Sequence, residues 1–262
     1  MLGKMPKATK KQDDENLAEN FVLNLGIKNK NHLVIHSSLF YLLAYGIRTD
    51  ELYKSLKKQL GANSKIAVPT FNILDRTKWF SDSCAFDKSN GILSKYLFEN
   101  TLGFRSSSAM HSYFLSGSDE HYKLPFDNPD KSFGTGSIFE YFIAKDYCFL
   151  LLGCDLTQGA SIIHHIECEF EVPYRKEVTI TRPNFVNTDC EKLTNYKYYA
   201  RISEEIKTDL SILQAEGIEN GVIRKITYGK IHSYVFNAQS FCDFVFRKLE
   251  KNPYYLVRAD KR

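Results

Sequence analysis

The sequence predicts an α/β fold: a three-layer sandwich whose central mixed, largely parallel sheet is flanked by helices, with a smaller strand-and-helix insertion. Three observations predict it. Short β-branched apolar runs alternate with helix-length amphipathic stretches over the first 70 residues, the pattern of a sheet built with helical crossovers. The run Phe149-Leu150-Leu151-Leu152 is apolar at every position, as in a strand buried on both faces. Glu177 to Arg182 alternates polar with apolar instead, which adds an antiparallel, half-exposed strand and makes the sheet mixed.

The elements follow in order. Residues 1–12 are polar and lysine-rich, without periodic apolar positions, and read as a disordered or non-native tail. Residues 13–262 form one domain. Leu17, Phe21, Val22 and Leu25 then fall at helical spacing, and Gly26 stops that helix. His32 to His36 is a buried strand ending in Ser37-Ser38. Thr49 caps a second helix whose Leu52, Leu56 and Leu60 share a face, closed by Gly61. Lys65 to Val68 is the next strand. Residues 183–236 make the insertion, and Asn237 caps a last helix that turns Phe241, Phe244, Val245 and Leu249 inward.

Composition excludes several classes of function. The chain has 262 residues, long enough for an ordinary core without disulfide or metal staples. Its longest apolar run, Tyr147 to Gly153, is far short of the roughly 20 residues needed to cross a bilayer. Six cysteines form no C-x-x-C pair, and the start lacks an apolar segment of signal-peptide type, which points to the cytoplasm. Subtracting 31 acidic from 35 basic residues leaves +4, but lysines alternate with acids and no dense basic stripe appears, so nucleic acid is not the expected partner. The 16 Tyr and 19 Phe leave room for a homodimer.

Three segments place small hydroxyl residues where strands end: His36-Ser37-Ser38-Leu39, Arg105-Ser106-Ser107-Ser108, and Phe133 to Ser137. Turns at strand C-termini expose backbone N–H groups and suit a phosphate-bearing ligand, although Ser and Gly are also ordinary turn residues. No P-loop motif occurs, nor a G-x-G-x-x-G after a strand. The sharpest cluster is Ser161-Ile162-Ile163-His164-His165-Ile166-Glu167. On a helix His164 and Glu167 share a face, so the carboxylate can fix the imidazole tautomer and stabilise the imidazolium, as a general base requires. Ser161 lies one turn earlier and can donate to an oxygen that becomes negative. A satisfied core histidine is the plainer alternative. A metal site built on His111, His164, His165 and Glu167 is disfavoured, because adjacent histidines diverge on a helix and H-E-x-x-H is absent.

The sequence resembles the aminoglycoside 3-N-acetyltransferase family along most of its length. The motifs carrying the resemblance stand in the family's order: LVIHSSL at 33–39, AVPTF at 67–71, Arg105-Ser106 followed by His111-Ser112, SFGTGS at 132–137, LLLG at 150–153 and SIIHHIECEFEVPYR at 161–175. Glu216-Gly217 and Tyr228-Gly229-Lys230 also fit. The resemblance implies transfer of an acyl group from a coenzyme A thioester, acetyl or longer, to a sugar amine, without a metal. It further implies that His164 is the base, that Glu167 orients it, and that Ser161 lies near the thioester carbonyl. His36, Ser37, Ser38, Leu39, Thr70, Arg105, Ser106 and Ser137 are implied to hold coenzyme A, and His111, Glu171 and Tyr174 the acceptor. There are departures. Ser108 and Ala109 stand where the family has His-Pro, and Ser161 where it commonly has Thr.

Net charge bears on the acceptor. A polycationic aminoglycoside is drawn by a negative field, which a chain at +4 does not supply. A nucleotide-linked, dTDP-type amino deoxy sugar for O-antigen or other surface polysaccharide is therefore the expected acceptor, and an aminoglycoside the alternative. A non-catalytic module that senses coenzyme A is disfavoured by the intact His164–Glu167 pair.

Overall fold

The structure is a computed structural model that describes residues 10–28, 30, 32–61, 63–72, 88–108, 110–117, 128–184 and 192–259. In chain order the elements are α1 (Lys10–Asn24), β1 (His32–Ser37), α2 (Phe40–Ala44), α3 (Thr49–Leu60), β2 (Lys65–Pro69), a single 3-10 turn (Lys88–Asn90), α4 (Ile92–Asn100), β3 (Gly103–Arg105), β4 (Tyr113–Ser116), α5 (Ile138–Ala144), β5 (Cys148–Leu152), α6 (Leu156–Gly159) and α7 (Ile162–Phe170). There follow β6 (Arg175–Asn184), β7 (Lys192–Arg201), β8 (Ile206–Thr208), α8 (Ser211–Glu219), β9 (Ile223–Tyr228), β10 (Ile231–Asn237), α9 (Ala238–Lys251) and β11 (Val257–Ala259).

Seven strands form the central sheet in the order β3-β4-β2-β1-β5-β10-β9. The expected three layers are present, and alternation along the strands builds them. Leu33 and Ile35 of β1 and Cys148, Leu150 and Leu152 of β5 face α1 to α4. Val34, Phe149 and Leu151 face the other way, onto Phe142, Ile163, Phe241 and Leu249 of the second helical layer. These side chains are essentially fully buried. Asn237 caps α9 as expected, its side-chain carbonyl accepting from Ser240 N at 3.0 Å.

Five expectations need correction. The sheet is mixed, but only β1–β2 and β1–β5 among its six pairings are parallel. β10 follows β9 through a tight hairpin at Gly229-Lys230 and β4 follows β3 through a longer loop, neither needing a crossover helix, while β4 and β10 return antiparallel to β2 and β5 after long helix-containing connections. Residues 183–236 are not one insertion, because β9 and β10 belong to the central sheet. Glu177–Arg182 does not join that sheet either; it lies in β6, which pairs with β7 as a separate two-stranded ribbon. Thr49 is the first helical residue of α3, with Arg48 at the cap position. Of the tail at 1–12, residues 1–9 lie outside the described residues, and α1 already begins at Lys10.

Candidate active site

Helix α7 places the reactive pair. Ile162, Ile163 and Ile166 bury one face against the core, so His164 and Glu167 share the neighbouring one. The helix ends at Glu171, whose φ of 56° is left-handed, and the chain folds back beneath α7. That reversal brings Tyr174 and Arg175 under Glu167. The fully buried carboxylate meets His164 Nδ1 at 2.6 Å through Oε2 and accepts from the Tyr174 hydroxyl at 2.9 Å through Oε1. Arg175 Nε lies 2.8 Å from Oε2 as an ion pair whose N–H is aimed off the oxygen. Burial pushes the Glu167 pKa up, but His164, Arg175 and Tyr174 together outweigh it and hold the carboxyl below its usual range. Glu167 is therefore ionised.

The His164 tautomer is set by these contacts. Arg175 Nη2, which can only donate, also approaches Nδ1 at 3.2 Å and favours an unprotonated Nδ1, but the shorter carboxylate contact outweighs it. An unprotonated Nδ1 would set its lone pair 2.6 Å from a carboxylate oxygen, so the proton sits on Nδ1 and points at Glu167. Nε2 is left as an acceptor on a side chain one-third exposed. Its ring packs edge-on against Phe133 at 5.4 Å, which limits its swing.

A cleft of about 430 Å³ opens at the carboxyl ends of β1 and β2; Ser161, one turn before His164, lines it, whereas His164 and Glu167 are not among its lining residues. It lies at the sheet's switch point, where β1 is flanked by β2 on one side and β5 on the other. His36, Ser37 and Ser38 form one wall, Phe71, Ser89 and Asn90 another, and Cys154, Gln158 and Ser161 a third. Asn90 pins the Phe71 wall by bonding both its backbone N–H and its carbonyl, at 2.7 and 2.8 Å. Ser38 N donates to Leu152 O at 2.8 Å, and Gly153 (φ 69°) runs so close that a Cβ there would lie 2.4 Å from Ser38 O. At the cleft floor His36 Nε2 is 3.0 Å from the Tyr113 hydroxyl. Burial pulls the His36 pKa down to about 4, so the ring is neutral.

The other residues expected at the site divide. Ser37, Ser38, His36 and Ser161 line the cleft, and Leu39 packs into the core beside it. Thr70, Arg105 and Ser106 are spent on structure instead. Arg105 donates from Nε to Ser112 Oγ at 2.9 Å and from Nη2 to Thr70 O, Thr70 Oγ1 is 3.0 Å from Ser112 Oγ, and Ser106 Oγ accepts from Tyr113 N at 2.8 Å. Ser137 is buried 3.4 Å from His165 Nδ1, which also accepts from Gly134 N at 3.2 Å. His165 is thus a packed helix residue, with burial drawing its pKa to about 4 against the weaker opposing pull of Glu169 and Glu140. His111 is buried, 2.7 Å from Ser132 Oγ, and its ring lies against Phe71 and Phe133, so it backs the cleft and the His164 wall without opening to either. Tyr174, expected on the acceptor side, supports Glu167 from beneath, whereas Glu171 is exposed at the end of α7. Among the described residues the four side chains of the metal alternative do not converge: His164 and Glu167 pair with each other, His111 pairs with Ser132, and His165 accepts from Gly134 N. Sequence reasoning missed Arg175, Tyr113 and Asn90.

Residues 34–250 match the family model for aminoglycoside 3-N-acetyltransferase. The chain belongs to that family. It is accordingly an acyl-CoA-dependent N-acyltransferase. Solved structures agree in fold. The chain superimposes on aminoglycoside acetyltransferase AAC(3)-IIb with a TM-score of 0.73 at 19% identity, covering 91% of this chain and 97% of that one. For AAC-IIIb in its binary complex with CoASH the values are 0.74, 17%, 90% and 96%, and for the YokD protein of Bacillus subtilis 0.70, 15%, 91% and 93%. No curated protein matches the sequence. The nucleotide-linked sugar expected as acceptor is overturned by the family match, and with it the O-antigen role. Net charge misled because it sums the whole surface, whereas an acceptor feels only the groups beside His164. Among the described residues no helix is long and apolar enough to cross a membrane.

Proposed function

We propose that this acetyltransferase moves an acetyl group from acetyl-CoA to an amino group of an aminoglycoside, which removes a positive charge from the drug and gives resistance to it. The single observation that carries the reading is the His164 imidazole, held by the 2.6 Å bond to buried Glu167 on a side chain one-third exposed, one turn of α7 beyond the cleft-lining Ser161. The family match supports the reaction class, and related folds have been solved with coenzyme A and, for a histidine-to-alanine variant of AAC(3)-IVa, with apramycin. The transferase unit spans residues 13–262.

The chemistry is that of these groups. The cleft takes the pantetheine arm, with Ser37 and Ser38 as hydrogen-bonding partners along it, and brings the thioester to Ser161. His164 Nε2 accepts a proton as the sugar nitrogen attacks the thioester carbon. The imidazolium that results is stabilised by Glu167, and Ser161 donates to the carbonyl oxygen as it gains charge. When the C–S bond breaks, the departing thiolate takes the proton from His164, leaving amide and free coenzyme A thiol. The test is thiol release from acetyl-CoA with kanamycin, gentamicin and apramycin, together with drug tolerance of a susceptible bacterial host expressing the chain. Release with at least one aminoglycoside, lost by about two to four orders of magnitude in His164→Ala, is expected. No release with any aminoglycoside, or an active His164→Ala, contradicts the proposal.

A further inference from the structure

Glu167 is shared between two basic side chains, and only one of them carries a permanent charge. The carboxylate is fully buried, and its Oε2 lies 2.6 Å from His164 Nδ1 and 2.8 Å from Arg175 Nε. Tyr174 adds a hydroxyl to Oε1 at 2.9 Å but no charge. Arg175 is held from its far side, where Nη1 donates to Tyr199 O at 3.1 Å, and its side chain is almost fully buried. The remaining Nη2 stands 3.2 Å from His164 Nδ1. Among the described residues no other charged side chain is paired with these three. Phe133 offers His164 a ring edge, Tyr199 spends its hydroxyl on Val172 O, and Glu171 is exposed at the end of α7.

We propose that Arg175 is a positioning residue: its guanidinium is the resident counter-ion of Glu167, and by filling that role it leaves the His164 imidazole unprotonated and free to take the proton of the incoming amine. The proposal rests on the reading of His164 as the base. Charge balance carries it. A carboxylate shut away from water needs a cation beside it, and in the resting site Arg175 is that cation. Without Arg175 the one basic group left beside Glu167 would be His164. A proton drawn in from solvent would settle on the imidazole, the more basic of the two by their ordinary values. A ring protonated on both nitrogens has no lone pair for the amine proton. Arg175 acts a second time in the same direction. An imidazolium stands 3.2 Å from the guanidinium, and the repulsion helps drive the proton on to the departing thiolate.

Two readouts test the proposal. The first is kcat/KM against pH, which reports the base of the free enzyme, taken as the ratio of variant to wild type because the acceptor amines titrate alike in both. Arg175→Met should be about five- to tenfold slower relative to wild type at pH 7 than at pH 9. Arg175→Lys keeps the charge and should show the wild-type pH dependence whatever its absolute rate. The second readout needs no turnover: ¹⁵N shifts of histidine-labelled protein, with the His164 signals assigned by their loss in His164→Ala. At pH 7 the ring should be neutral in the wild type, an imidazolium in Arg175→Met, and neutral again when Glu167→Gln is added. Denaturant titration checks that each variant is folded, and Arg175→Gln, also uncharged, takes the place of Arg175→Met where that variant does not fold. A rate ratio independent of pH, a neutral His164 in the folded uncharged variant, or the same pH dependence with Met and with Lys would overturn the proposal and leave Arg175 a packing residue. An active His164→Ala beside an imidazolium in Arg175→Met would instead overturn His164 as the base, while the charge balance held.

Discussion

Replacing Glu167 by Gln removes a charge while keeping shape, and the three groups around the carboxylate set the consequences. His164 Nδ1–H at 2.6 Å and Tyr174 OH at 2.9 Å donate to it, and the Arg175 guanidinium pairs with it by charge, Nε lying 2.8 Å away. An amide has one oxygen for the two donors and no charge for Arg175. If its NH₂ faces His164, it donates to Nδ1 and drives the imidazole proton to Nε2, which abolishes the base. If its oxygen faces His164, the tautomer survives but the imidazolium loses its counter-charge. For that second, milder case two charges about 4 Å apart at an effective dielectric near 20 interact by about 4 kcal/mol. His164 is one-third exposed, so screening by water leaves about 2 to 4 kcal/mol. That is roughly a 30- to 1000-fold fall in kcat, read by thiol release. The same change strands Arg175, almost fully buried, beside no anion, at a cost of about 3 to 5 kcal/mol of stability. Adding Arg175→Met should recover stability in denaturant titration while leaving kcat low, which separates the two effects. A folded Glu167→Gln within threefold of wild-type kcat would refute the reasoning.

Three further outcomes are expected. Tyr174→Phe deletes a hydroxyl bonded to an ionised carboxylate, so denaturant titration should show a loss of about 1.5 to 3 kcal/mol with less than a tenfold fall in kcat, and unchanged stability would count against the buried contact. The rings of His36 and His165, both drawn to about 4 by burial, are neutral in folded and unfolded chains above the ordinary value of 6.5. As pH falls from 6.5 toward 4 only the unfolded chain binds those protons, so stability should drop by up to about 2.7 kcal/mol per pH unit in that window, less steeply in His36→Gln; a flat profile would contradict the burial of the two rings. Asn237→Ala removes the α9 cap and should cost about 1 kcal/mol, lowering Tm by about 2 to 4 °C in calorimetry.

What could be read from the sequence was local. The apolar run of β5 and the alternation of helix and strand before residue 70 report burial directly, and the three-residue spacing of His164 and Glu167 becomes a 2.6 Å contact because a helix imposes it. What could not be read depends on chain reversals and distant pairings. Arg175 and Tyr174 reach Glu167 only because Glu171 adopts a left-handed turn, and a glutamate gives no hint of that as a glycine would. Tyr113 meets His36 across 77 residues, through the pairing of β4 with β2 and β2 with β1. Arg105 and Thr70 carry the right chemistry for a phosphate ligand, yet the fold spends them on each other and on Ser112. Strand direction escaped for a similar reason, since apolar patterning does not record that β3, β4, β9 and β10 run antiparallel to their neighbours.

A crystal structure of the protein with coenzyme A and an aminoglycoside tests the role of His164 most directly. We expect the pantetheine sulfur at Ser161 and a sugar amine within about 3.2 Å of His164 Nε2, the reach a general base needs. An aminoglycoside bound with every amine remote from that nitrogen, or coenzyme A lying outside the cleft at the end of β1, would contradict the account.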